Sequence, residues 1–563
     1  MMKRLFCILA MWLAAWQLSF ALAQTQEETA VITLSGESAQ WTGDGVTLED
    51  GVLTIGGTGV YRLSGSWAEG QIVVKAGKKG YVTLVLDGLS VSSSEGSPLT
   101  VTSAKEVVLR LEAGSENALT STAEGEDAAS ALVSKADLFL TGEGSLALQS
   151  SGKHGIQAAD SVTVQGGSYI IKAAETGLKA NDFIAVTGGA LEIASGEDGV
   201  RVSGDESKPD TGWIAVSGGS LRIASGEDGI QAETDVTLTG GSIYIESGDD
   251  GIRAENTLKI TDGEITVARS YEGLEAAQIE LDGGTISVTA EDDGINASDG
   301  VSTDMGFGGM GGPMGGGRDG AFQPREEGAE EGSNEAENRA FPGGADGGME
   351  NPPEGADGER PEPPDGMSFG GEAHERPDDG VAEANSTASG AEIPNLVIRG
   401  GVIHVNAGGD GLDSNGNLRI EGGTVIVDGP EQNMNGALDS GTERGGTLTV
   451  SGGTVLALGA SGMDETFDGS SQQASFRYAG LSFAAGDEIR ITDGEGNELF
   501  TYTAQKSGSS VVFSSPALAV GDTVILSVDG DTAEIQLTET STGASSGTGW
   551  GHGRPFVKSS EAW

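Results

Sequence analysis

Two adjacent phrases carry the reading of this chain: Gly219-Ser220-Leu221-Arg222-Ile223-Ala224-Ser225-Gly226-Glu227-Asp228-Gly229-Ile230-Gln231-Ala232 and, 22 residues on, Gly241-Ser242-Ile243-Tyr244-Ile245-Glu246-Ser247-Gly248-Asp249-Asp250-Gly251-Ile252-Arg253-Ala254. The glycine that opens the phrase recurs at Gly144, Gly167, Gly189, Gly263, Gly284, Gly401, Gly423 and Gly453. Within each unit three short apolar alternations follow one another, as in Ile243/Ile245, Ile252 and Leu258/Ile260, each bounded by Gly, Asp, Asn or Ser. Alternation with a period of two over so few residues is a strand signature and excludes helix. Three strands and three turns per unit predict one rung of a parallel β-helix, in which rungs stack at roughly 4.8 Å and share one continuous core. Ile243, Ile245, Ile252, Leu258 and Ile260 are the expected inward positions, and Gly251 the corner where a side chain would not fit.

Working outward, residues 24–142 show the same alternation less regularly, as in Val52-Leu53-Thr54-Ile55 and Val82-Thr83-Leu84-Val85-Leu86, and are read as an N-terminal cap and first rungs. Regular rungs occupy 143–300. From 301 to 392 the pattern gives way to a Gly/Pro/Glu-rich run, expected to be a disordered insertion because it has too little apolar surface to fold. The phrase resumes over 393–469. A different cadence over 470–540, with Phe483, Ile489, Ile491 and Val524-Ile525-Leu526, predicts a small β cap, and 541–563 is read as a disordered tail. The first 23 residues, with Lys3 and Arg4 before an apolar run and Ala21-Leu22-Ala23, have the form of a secretory signal peptide. A secreted, extracellular or cell-surface protein is therefore expected, with no membrane insertion. The single cysteine, Cys7, lies in that segment, which leaves no thiol chemistry for the rest.

The chain has 563 residues, 94 of them glycine, and 86 acids against 31 bases give a formal net charge of -55. Such a field repels nucleic acid and anionic lipid, and points to cations or hydroxyl-rich neutral ligands.

Stacked rungs turn sequence periodicity into vertical columns. The most distinctive precedes the corner glycine: Glu197-Asp198, Glu227-Asp228, Asp249-Asp250, Tyr271-Glu272, Asp292-Asp293 and Gly409-Asp410. Carboxylates about 5 Å apart on adjacent rungs repel by roughly 0.8 kcal/mol per pair even in water, so a neutralising partner is expected. Calcium, which takes six to eight oxygens, fits such a stripe. The competing reading is that Asp-Gly is simply good turn chemistry, each Asp bonding its own turn amides. The next column carries Lys179, Arg201, Gln231, Arg253, Glu275, Asn296 and Asp413. Its bases either compensate the acids as local salt bridges or present cations to an acidic sugar. Tyr244 on the first strand and Tyr271 at the corner are the candidate sugar-contacting rings. His154 and His404 read as isolated, and no catalytic set can be assembled from them.

Ser270-Tyr271-Glu272-Gly273-Leu274-Glu275, Asp292-Asp293-Gly294-Ile295-Asn296-Ala297 and Gly409-Asp410-Gly411-Leu412-Asp413-Ser414-Asn415-Gly416 resemble the hallmark phrases of the clostridial carbohydrate-binding β-helix family. Val82-Thr83-Leu84-Val85-Leu86-Asp87-Gly88-Leu89 and Val511-Val512-Phe513-Ser514-Ser515-Pro516 resemble its two ends. The resemblance implies a secreted right-handed parallel β-helix, similar in shape to pectate lyases, that binds calcium and attaches to cellulose and pectin-like uronans. Carried over by position, the Asp-Gly acids and the Ser270 to Glu275 phrase become the implied calcium ligands, with Asp413 beside them. Three functions follow from the residues and the resemblance together. The first is a non-catalytic, calcium-dependent polysaccharide-binding protein. The second is a calcium-dependent pectate-type lyase using Lys179, Arg201 or Arg253 as base. The third is a surface adhesin or spacer.

Overall fold

The computed structural model describes residues 27–298, apart from 37, 206 and 209, and residues 393–543. The expected signal peptide, the 301–392 insertion and the tail beyond 543 lie outside the described residues. Among those described, helix is confined to two single 3-10 turns, Gly125–Asp127 and Thr442–Arg444, and no helix is long and apolar enough to cross a membrane.

The phrase that opens at Gly219 forms strands Ser220–Ser225 and Ile230–Ala232, followed by Asp235–Glu246, which runs through a corner into the next winding. Each stretch pairs in parallel with the residues one winding later: Leu221 with Ile243, Ile230 with Ile252 and Val236 with Leu258. Ile243, Ile245, Ile252, Leu258 and Ile260 are all at most 1% exposed, within one apolar core that runs from Ala30 to Val512. Each such side chain contributes roughly 1.5–3 kcal/mol by leaving water. Two glycine columns serve the turns for different reasons. Gly219 and Gly241 adopt φ of 83° and 93°, a left-handed backbone that favours glycine. At Gly251 the constraint is space, since a Cβ there would stand 2.5 Å from the Gly273 carbonyl oxygen and 2.6 Å from a Val267 methyl.

The expected fold class, an open right-handed parallel β-helix solenoid, is corrected by the strand pairing. Among the described residues, the strands of the repeats belong to one continuous 38-stranded sheet that closes around its core as a barrel-like wall. The physical reason lies in the corners: Asp235–Glu246 and Ile252–Arg269 carry strand structure through turns where separate short strands were expected. Nor is the wall parallel throughout. At the N-terminal end Ala30–Gly36 pairs antiparallel with Ser38–Gly43, and Val46–Glu49 with Val52–Ile55. At the other end Thr454–Gly459 pairs antiparallel with Ser510–Ser514. These antiparallel pairings occupy strand edges that would otherwise be free to pair with other chains.

A separate four-stranded antiparallel sheet, in the order Glu498–Thr503, Glu488–Asp493, Thr523–Val528 and Asp531–Gln536, has its own core. That core includes Leu456 and Leu458 of the wall, so the sheet covers the outer face of the final winding.

Candidate cation-binding stripe

The residue before each corner glycine is set by the backbone ladder. The amides of Gly177, Gly199, Gly229, Gly251, Gly273 and Gly294 donate to the carbonyls of Asp198, Asp228, Asp250, Glu272, Asp293 and Asp410, each in the following winding, at 2.8–2.9 Å. The acids therefore stand in one vertical stripe, as the period requires. Asp198, Asp228 and Asp250 are buried, whereas Glu227 and Asp249, the first acids of their pairs, are exposed and Glu197 and Asp292 are half-buried.

The stripe acids do more than close their own turns. Asp228 Oδ1 accepts the amide of Asp250 at 3.0 Å, and Asp293 Oδ1 that of Asp410 at 2.7 Å. Asp410 Oδ1 in turn accepts the amide of Gly436 at 2.5 Å. One carboxylate oxygen thus staples each of these acids to the next winding, and turn chemistry alone does not account for the other.

Beside the stripe, Lys179, Arg201, Gln231, Arg253, Glu275, Asn296 and Asp413 form an unbroken parallel register. Its composition divides it. Arg201 binds Asp198 at 2.9 Å, and Arg253 stands 3.6 Å from Asp250 and 3.4 Å from Glu275, so both arginines compensate acids of the stripe. Past Arg253 the column continues as Glu275, Asn296 and Asp413, with Asp439 one winding further, adjoining the Leu412–Leu438 bridge. Burial, and after it neighbouring carboxylates, pushes the acids of this second half above the ordinary carboxyl range. Glu272 and Asp410 rise to about 7, Asp293 to about 6, and Asp413, next to Asp439, to about 9. In the first half burial lifts Asp228 to about 7 and Asp250 upward as well.

Two buried oxygens of this column, Gln231 Oε1 and Asn296 Oδ1, have no hydrogen-bond partner. Asn296 is 9% exposed; its Nδ2 donates to Glu272 at 3.1 Å, while its buried Oδ1 has no hydrogen-bond partner. A buried carbonyl oxygen without a donor is costly, and here it sits among carboxylates. An oxygen-rich set with an unsatisfied neutral oxygen suits a hard cation such as calcium. Two triads also bring their oxygens within 4.8 Å of one another: Asp228, Asp249 and Asp250, and Asp250, Glu272 and Glu275.

In a third triad, His154, Glu175 and Glu197, the side-chain nitrogen and oxygen atoms also lie within 4.8 Å of one another. His154 Nδ1 accepts the Thr176 amide at 3.2 Å, so the neutral ring carries its proton on Nε2, which faces Glu175 at 3.4 Å. Burial, with Lys179, Lys153 and Arg201 nearby, lowers this imidazole to about 4. The ring is a buried hydrogen-bonding element with no lone pair to offer a metal.

Of the candidate sugar contacts, Tyr271 is 48% exposed beside the stripe, its hydroxyl pushed up to about 12 by hydrogen bonding to Asp292. Tyr244 is engaged elsewhere: Arg222 lies 4.2 Å over its ring, and its hydroxyl donates to Glu246 at 2.7 Å. His404, expected to be isolated, contacts Asp428 Oδ2 and the Tyr502 hydroxyl, both at 2.9 Å. Asp428 is fully buried where the four-stranded sheet meets the wall. Asp439 was missed because its phrase, Ala437-Leu438-Asp439-Ser440, lacks the corner glycine; aligned on Gly411-Leu412-Asp413-Ser414 it falls into place.

A family model described as a carbohydrate-binding domain-containing protein matches residues 49–308. A carbohydrate-binding domain-containing protein of Acetivibrio thermocellus is 31% identical over 137 residues, 23% of this chain and 48% of the relative. The chain thus spans about half the length of the curated relative it matches. Among solved structures, the gadolinium derivative of a polysaccharide lyase-like protein from C. thermocellum aligns with 27% identity and a TM-score of 0.40, over 42% of this chain and 99% of that one.

Proposed function

We propose that the protein is a secreted, non-catalytic carbohydrate-binding protein that attaches to polysaccharide through calcium held on the acidic stripe. Similarity to carbohydrate-binding domain proteins supports the ligand class. The observation that carries the cation is the run from Glu272 to Asp439, with half-buried carboxyl groups that raise one another's acidity range and the unsatisfied Asn296 oxygen in the same column. Glu272, Asp293, Asn296, Asp410 and Asp413 would hold the ion, and the ion would supply the positive charge to which the oxygens of a uronan or another polyol bind. Without it, a chain of net charge -55 repels an acidic glycan.

Isothermal titration against polygalacturonate and against cellulose, with calcium and with chelator, tests this reading. Binding that chelator abolishes is expected, and no binding in either condition ends the proposal. Arg201 and Arg253, two of the three bases considered for a lyase, are ion-paired to stripe acids, which favours binding over catalysis. A steady rise in unsaturated product from pectate would reverse that preference.

A further inference from the structure

We propose that Arg253 is a built-in counter-ion that limits how many divalent cations the stripe accepts. The inference rests on the cation-binding reading and adds to it the residue that marks where binding starts.

The guanidinium of Arg253 is surrounded by three carboxylates: Asp250 at 3.6 Å, Glu255 at 3.4 Å and Glu275 at 3.4 Å. Two of them, Asp250 and Glu275, belong to the triad that closes with Glu272. The arginine therefore stands on oxygens that would otherwise face a cation. On the preceding winding its register partner Gln231, three residues after Asp228 of the other triad, has a buried Oε1 without a hydrogen-bond partner. Oxygen ligands for a cation are gathered there, and the Arg253 guanidinium stands 3.6 Å from Asp250, a carboxylate common to both triads. Two windings on, the same column position is Asn296, uncharged and with a free carbonyl oxygen. A charge permanently tethered at one position and absent at its counterpart divides the stripe into a self-neutralised part and a cation-requiring part.

The test counts calcium ions bound per full-length chain by calorimetry and by equilibrium dialysis, with calcium alone as the probe. Arg253→Gln is expected to bind one ion more than the unmodified protein, and Arg253→Lys the same number. Asn296→Arg, which installs a guanidinium at the equivalent place in the second half, is expected to bind one fewer and does not depend on the first variant folding. An unchanged count in Arg253→Gln or in Asn296→Arg overturns the proposal while leaving cation binding itself intact. Absence of calcium binding by the unmodified protein would remove the parent reading together with this one.

Discussion

Asp413 shows how much chemistry a single position acquires from its neighbours. In the sequence it is one more acid after a Gly-Leu step; in the wall it is mostly buried and surrounded by Asp439, Asp293, Asp410 and Glu272, so its proton is held to about pH 9. The direction of the resulting pH dependence follows. An acid whose folded pKa lies above its unfolded value binds more protons when folded, so stability is greatest below the unfolded value and declines as pH rises toward the folded one. In chelator, Tm is expected to fall by roughly a few degrees between pH 5 and 8, as Asp293, Glu272, Asp228 and Asp410 ionise. Saturating calcium should flatten that slope, and differential scanning calorimetry at several pH values reads both. Because binding displaces protons at pH 7, the calcium enthalpy should also vary with buffer ionisation heat. Asp413→Asn is expected to weaken calcium binding by about tenfold or more while leaving Tm in chelator at pH 7 nearly unchanged, since the carboxyl it replaces is already neutral there.

Corners and seams hold the elements in place. Gly251→Ala would drive a methyl into the Gly273 carbonyl and Val267, and is expected to cost about 1–3 kcal/mol in urea denaturation. The seam between the wall and the four-stranded sheet depends on Asp428, whose Oδ1 accepts the Gln505 amide at 2.9 Å and whose Oδ2 meets His404 and Tyr502. Asp428→Ala leaves these donors without their acceptor and should destabilise the protein by about 2–4 kcal/mol. Tyr502→Phe, which keeps the ring, should cost about 1 kcal/mol by the same measurement. His404 and Asp428 are 24 residues apart and Tyr502 lies 98 from His404. No local pattern could have joined them.

Across the molecule, the wall keeps its register from one side of residues 299–392 to the other. Gln278 pairs with Asn395, Thr285 with Val402 and Asn296 with Asp413, and Arg399 binds Asp282 at 2.8 Å. Joining Ser298 directly to Ile393 would leave a corner of three residues between Ala297 and Asn395, close to the two found between Ala232 and Asp235. A chain shortened in this way is expected to retain its far-ultraviolet circular dichroism and a Tm within a few degrees of the parent, and to bind calcium with the same stoichiometry. Loss of cooperative unfolding would show that the wall depends on the excised residues.

What the amino-acid order determined by itself was a period and its consequences: which side chains face inward, where glycine is required and which acids share a column. Each follows from strand alternation repeated at a constant interval, a property that every unit carries locally. The closure of the strands into one 38-stranded wall, its antiparallel ends, the division of the charged column at Arg253, the unsatisfied Asn296 oxygen and the His404–Asp428–Tyr502 seam were decided only by the tertiary structure. These depend on how a chain continues through its corners and on contacts between residues far apart in sequence. Burial, which sets both the acidities and the hydrogen-bond deficits, exists only once all the windings are in place.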